Sequence, residues 1–338
     1  MLKFRTARSE PSFRRMAAVA AAALVFAACT SSGDTATPTS PSTPSTPATQ
    51  DDRADWPEVL RFAAVPAEQD AQLEESYRVT TEILRDELGI EVEMFQAADY
   101  AGVIEAIIAN RVDLAQFGPF AYVLAIARGA EATAVGVMTS DPAAEPGYQS
   151  YLVARSDNNA VNTMQDIKGK KICLVDPAST SGYLVPFAMM LDEGIDPNND
   201  IDIVLAGGHD TSVIEVVDGT CDAGFAFDSM VDELLIERGE INAGDVKIVE
   251  KSFVIAGSPM AMRTGLPASL QAAITDIIHN KVNVDWATAN GYCESVDDCS
   301  LSDEAIWGYS AKDDSFYDGI RTLCKQLGTA VRACEGIA

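Results

Sequence analysis

VIEAIIANRVDLAQFG, residues 103–118, runs from an apolar stripe at helical spacing (Val103, Ile104, Ile107, Ile108) into a short strand-like run over 112–117. Farther along, VIEVVDGTCDAGFAFD, residues 213–228, repeats the order helix then strand, with one residue fewer in the connection. A single unit of this kind is common in α/β proteins. Two that echo each other imply two lobes of similar build.

The flanking segments extend the alternation. Residues 60–65 and 90–95 read as strands, 74–88 as a helix closed by Gly89, 99–110 as a helix opened by Asp99, and 120–128 as a helix opened by Gly118 and Pro119. Alternating strands and helices predict a mostly parallel sheet. Strand-like crossings at 149–155 and 253–262 carry the chain out of the first lobe and back. The expected architecture is α/β, two lobes joined by a two-strand hinge with a cleft between them. The division is residues 57–150 (first lobe), 151–258 (second lobe) and 259–338 (return to the first).

The N-terminus reads as a targeting segment. Lys3, Arg5, Arg8, Arg14 and Arg15 precede an apolar stretch over 16–28 and then Cys29. About 13 apolar residues fall short of the roughly 20 that span a bilayer. The segment resembles a bacterial lipoprotein signal over 1–28, with Phe26 where leucine is usual and Cys29 as the lipidated residue. Residues 29–56 then form a Ser/Thr/Pro-rich tether. An extracytoplasmic, lipid-anchored protein is expected.

Six cysteines remain, an even number that suits an oxidising compartment. The expected pairs are Cys293 with Cys299 and Cys324 with Cys334, each closing a short loop, and Cys173 with Cys221, joining neighbouring strands. No C-x-x-C spacing occurs and the chain holds two histidines, so neither a metal nor a cofactor is expected. The formal charge of −27 becomes about −31 without residues 1–28. That field disfavours nucleic acid and anionic membrane surfaces as partners.

The chemistry concentrates at strand-to-helix junctions. DPASTSGYLVPF, residues 176–187, places Ser179, Thr180, Ser181 and Gly182 where a helix begins. A helix start carries unpaired amides and partial positive charge, so it either takes a plain Ser/Thr cap or grips an oxyanion. Pro186, awkward inside a helix, is expected in the second turn, where it keeps the opening turn rigid or slightly irregular. GGHDTS, residues 207–212, repeats the geometry with His209, a further donor to an oxyanion if protonated, and Asp210. Asp228 ends the strand over 223–227, either as a cap or as an acceptor facing the cleft. Tyr100 and Tyr148 fall where the opposite wall should be. No G-x-S-x-G elbow accompanies the serines, and no enzyme is expected.

ADYAGVIEA, DLAQFGPFAYVLA, DPASTSGYLVP, GGHDTSVIEVVDG and CDAGFAFDSMVDE together resemble the phosphate/phosphite/phosphonate substrate-binding proteins of ABC transporters, with the type II periplasmic-binding fold. The resemblance implies that Ser179, Thr180, Ser181 and His209 hold a phosphorus oxyanion, that Tyr100 and Tyr148 face it, and that Asp228 is the acid near it. It implies a small phosphorus-oxyanion ligand, a permease with an ATPase subunit as partner, and a monomer. Where relatives that bind aminoalkylphosphonates carry an acid before the returning hinge proline, this chain has Ser258 before Pro259. That departure points toward phosphite, methylphosphonate or another compact ligand. A same-fold protein for a sulfonate or carboxylate, or a sensor, is the alternative.

Overall fold

The computed structural model describes residues 53–337. Its strands are β1 (Val59–Ala64), β2 (Glu91–Phe95), β3 (Leu114–Gln116), β4 (Ala132–Thr139), β5 (Gly147–Tyr148), β6 (Ser150–Arg155), β7 (Lys171–Leu174), β8 (Asp202–Leu205), β9 (Ala223–Phe227), β10 (Val246–Lys251), β11 (Ile255–Ala256), β12 (Pro259–Arg263) and β13 (Gly308–Ser310). They form a six-stranded sheet in the order β13-β4-β12-β3-β1-β2, a five-stranded sheet in the order β10-β6-β9-β7-β8, and the two-stranded ribbon β11-β5.

One block recurs in both large sheets. β2-β1-β3 is parallel and β12 joins β3 antiparallel. β8-β7-β9 is parallel and β6 joins β9 antiparallel. The two echoing stretches supply equivalent parts, helix Tyr100–Ile108 with β3 and helix His209–Val217 with β9. Parallel strands covered on both faces need continuous apolar runs. β1 accordingly buries Leu60, Phe62, Ala63 and Ala64. Helix Tyr100–Ile108 buries Val103, Ile104 and Ile107 and is capped by Asp99, whose side chain accepts the Gly102 N–H at 2.7 Å.

The molecule is therefore a two-lobed α/β protein with an interlobe cleft, and β5 and β11 are the hinge. Their register pairs Tyr148 with Ile255 and Gly147 with Ala256. The hinge lies at the front of the expected crossing segments, because β6 and β12 are already members of the two sheets. The helix expected over 74–88 is instead two, Asp70–Ser76 and Arg78–Leu88. Tyr77 breaks it: its buried ring packs on Phe62 and its hydroxyl donates to Asp303, so tertiary partners override helical continuity. Gly89 closes the second helix at φ 68°, as its position predicts.

The Sγ atoms of Cys173 and Cys221, of Cys293 and Cys299, and of Cys324 and Cys334 lie at disulfide distance. The signal-like segment, Cys29 and most of the tether lie outside the described residues. Among the described residues, no helix is long and apolar enough to cross a membrane.

Candidate functional site

The turn after β7 is built to expose its hydroxyls. Ser179 caps it, accepting the Gly182 N–H at 3.1 Å. Leu184 N–H donates to Ser179 O and Val185 N–H to Thr180 O, so the first turn is wide, with five-residue rather than four-residue hydrogen bonds. Pro186 accounts for the irregularity, since it supplies no N–H to the carbonyls behind it. Those carbonyls find other donors: Val175 N–H bonds Gly182 O at 3.1 Å, and Ser150 Oγ bonds Ser181 O at 2.6 Å. Gly182 is required here by close approach. A Cβ on it would lie 2.3 Å from Val175 Cγ2.

His209 opens helix His209–Val217 and is buried. Its Nδ1 accepts the Phe227 N–H at 3.3 Å, which assigns the ring proton to Nε2. Nε2 lies 3.3 Å from Ser179 Oγ and so donates toward it. Burial pushes the imidazole down to about 3, so His209 is a neutral donor near pH 7 rather than a cation. That departs from the protonated form considered for it in the sequence.

The first lobe closes over this wall. Phe120 N–H donates to Thr180 Oγ1 at 2.8 Å, His209 N–H to Ala67 O at 2.7 Å, and Gln69 N–H to Asp210 Oδ2 at 3.1 Å. Tyr100 faces Ser179, and Tyr148 faces Ser181 and Thr180, across the same cavity. Burial is the first reason both phenols are held above their ordinary range, so both stay protonated donors. Beyond the donors, Arg238 pairs with the fully buried Glu68 at 2.5 Å across the lobes. Burial raises Glu68 to about 7 despite that partner.

These contacts enclose a cavity of ≈ 20 Å³, where about 10–15 Å³ on this measure holds one water. Ser179, Thr180, Ser181, His209, Tyr100 and Tyr148 all line it, six of the seven residues read from the sequence. Asp228 does not. Its carboxylate accepts the Gln149 and Ser229 N–H groups at 2.9 and 3.0 Å, and it borders a neighbouring cavity that shares Tyr148 and Glu304 with the first.

Two lining residues had no signal in the sequence. Asp303 and Glu304 reach the cavity from the segment before β13. Ser258 Oγ donates to Glu304 Oε1 at 2.5 Å, so the carboxylate missing beside Pro259 is supplied from 46 residues downstream. The departure at Ser258 therefore does not make this side of the cleft acid-free. In a chain with 51 acidic residues, two more adjacent acids stand out by nothing but their place in the fold. Burial raises both carboxyls, and the Asp303 charge raises Glu304 further.

A hinged pair of α/β lobes closing on a small, donor-lined cavity defines a substrate-binding protein of the periplasmic type. Residues 62–281 match the family described as ABC transporter, phosphonate, periplasmic substrate-binding protein, and the chain belongs to that family. It is 42% identical over 288 residues to the Phosphate-import protein PhnD of Mycolicibacterium smegmatis, covering 83% of this chain and 89% of that one. A binding-protein component of an ABC phosphonate transporter from Pseudomonas aeruginosa superposes with TM-score 0.69 at 25% identity, over 81% of this chain and 87% of that one. The fold is shared, at TM-score 0.67 and 16% identity, with PhnD1 of Prochlorococcus marinus in complex with methylphosphonate, over 80% and 98% of the respective chains.

Proposed function

We propose that this protein captures a compact phosphorus oxyanion, inorganic phosphate first and phosphite or methylphosphonate next, and delivers it to an ABC permease. The observation that carries the reading is the convergence of three hydroxyls and the His209 Nε2–H on a cavity of ≈ 20 Å³. Neutral donors at a helix start bind an oxyanion without a full positive charge. The name of the M. smegmatis relative supports phosphate in particular.

Binding works by closure. Tyr100 and the Phe120 amide belong to one lobe and the hydroxyl wall to the other, so a ligand bonded by both favours the shut form. Opening separates Arg238 from Glu68 as well, which makes that pair a latch on the closed state. Asp228 borders the side of the cleft toward which a ligand substituent would point. The three cysteine pairs are disulfides formed outside the cytoplasm, and Cys29 carries the lipid that tethers the protein to the membrane. The protein acts as a monomer.

A thermal-shift screen with phosphate, phosphite, methylphosphonate, aminoethylphosphonate and taurine tests the reading. Stabilisation by phosphate and the compact phosphorus oxyanions is expected. A response to taurine alone would place the protein with sulfonate binders instead.

A further inference from the structure

The cavity has an unusual balance of groups for an anion site. Among the described residues, its lining contains no lysine or arginine, yet it contains two carboxylates. Asp303 takes the Tyr77 hydroxyl. Glu304 Oε1 takes the Ser258 hydroxyl, and no cation pairs with Glu304 among the ion pairs of the described residues. An anion carrying no proton would meet this carboxylate as charge against charge in a buried space. One proton held between the two turns the repulsion into a charge-assisted hydrogen bond.

We propose that Glu304 shares a single proton with the bound anion, and that the cleft thereby selects hydrogen phosphate over tetrahedral anions of equal size that bring no proton. The inference rests on the reading of the cleft as a phosphorus-oxyanion site and names what that site discriminates. Hydrogen phosphate donates its own P–O–H to ionised Glu304, so no proton is taken from solution. Sulfate has no proton to give, and methylphosphonate surrenders its last one near neutrality. For those anions Glu304 must itself be protonated, and its buried position makes that possible at neutral pH but not in alkali. Above the Glu304 pKa, each such anion binds with uptake of one proton.

Other titratable groups face Glu304: Asp303 beside it, Asp228 at the end of β9, Tyr148 on the hinge, Tyr309 on β13, Tyr77 between the first two helices, and Tyr317. His209 lines the far wall. Burial keeps the tyrosines protonated and His209 neutral through this pH range. Asp303 and Asp228 are acids that could carry the proton in place of Glu304, so a Glu304 variant is needed to assign it.

The test is calorimetric titration of the wild type and Glu304→Gln with phosphate, sulfate and methylphosphonate at pH 7 and pH 9. In the wild type, phosphate affinity should hold or rise from pH 7 to pH 9, because ionised Glu304 and hydrogen phosphate both gain population. Sulfate should weaken by about tenfold between pH 7 and pH 9 as the proton on Glu304 is withdrawn, and methylphosphonate should weaken once both it and Glu304 have lost theirs. Glu304→Gln has no proton to gain or lose, so that slope should vanish and the preference for phosphate at pH 9 should collapse. Ser258→Ala removes a hydroxyl that favours ionised Glu304, so the pH at which sulfate binding falls should move upward. This second variant keeps the carboxylate and guards against a folding defect in the first.

Parallel pH profiles for all three anions in the wild type would overturn the proposal, and so would a slope that survives in Glu304→Gln. Tighter binding of aminoethylphosphonate than of phosphate would also overturn it, because the carboxylates would then be pairing with an ammonium group. Failure of every phosphorus oxyanion to bind the wild type would refute the underlying reading of the cleft instead.

Discussion

The two walls of the cleft are made in opposite ways. The second-lobe wall is local: Ser179, Thr180 and Ser181 are consecutive, and His209 starts the next helix of the same sheet. Its groups are all neutral and can each donate, since the hydroxyls keep their own O–H where their oxygens accept a neighbouring N–H. The opposing acid wall is assembled from distant segments, with Glu304 held by Ser258 and Asp303 held by Tyr77. Its carboxylates accept when ionised. On the proposed reading, a chain of charge −27 holds an anion through local neutral dipoles, and the fold's own negative charge lies where it would check the ligand for a proton.

The largest expected effect comes from distorting the donor wall's backbone. Gly182→Ala sets a Cβ against Val175, and overpacking of this kind costs about 1–3 kcal/mol. Unfolding melts should show a Tm lower by several degrees, and phosphate affinity should fall more than tenfold as the turn shifts. A variant that binds like wild type would mean that the close approach of turn to strand is not what positions the hydroxyls.

Next come the donors themselves. Thr180→Ala and His209→Ala each remove one hydrogen bond to a charged ligand, worth about 1.5–3 kcal/mol, so each should weaken phosphate binding by about 10–100-fold in calorimetry. Intact binding in both would break the assignment of this wall.

The walls should also respond to pH in opposite directions. Glu68, raised to about 7, binds more protons folded than unfolded, as do Asp303 and Glu304. Their stabilisation is present in acid and is lost as pH rises through the folded values. His209, lowered to about 3, binds fewer protons folded than unfolded, so its contribution is lost as pH falls from about 6.5 toward 3. From these groups, melts across pH 4 to 9 should therefore show the highest Tm at the acid end, near pH 4, a decline as pH rises to about 8, and little further change toward pH 9. Glu304→Gln should make that decline shallower. A Tm rising steadily to pH 9 would contradict the buried acid wall.

The smallest effect expected is that of salt. Close, buried, neutral donors are little screened, whereas the repulsive long-range field decays within a Debye length of about 8 Å at physiological ionic strength. Phosphate affinity should change by no more than a few-fold between dilute and moderate salt. Collapse of binding in salt would point to a cationic site that the cavity lining does not contain.

The same contrast explains what could be read in the sequence. The echo of residues 103–118 in 213–228 exposes the repeated sheet block because helical and strand periodicities are local properties. The hydroxyl run, Gly182 and His209 are visible for the same reason, since a helix start and its cap occupy neighbouring residues. Glu304 is not visible, because only the return of the chain through β12 and β13 brings it to Ser258. Tyr77 is a similar case. Its helix break depends on Phe62 and on Asp303, more than two hundred residues away, and no propensity encodes that contact. Asp228 is legible as either a cap or a cleft acid: its carboxylate accepts the backbone amides of Gln149 and Ser229, and it borders the neighbouring cavity rather than the donor-lined one.

The central claim is that a neutral, donor-lined cleft captures a compact phosphorus oxyanion. It is tested most directly by calorimetric titration of inorganic phosphate into the purified protein at neutral pH, with Thr180→Ala alongside. The account predicts one phosphate per chain, bound at least tenfold more tightly by wild type than by the variant. No measurable phosphate, phosphite or methylphosphonate binding, or equal affinity in the two proteins, would contradict it.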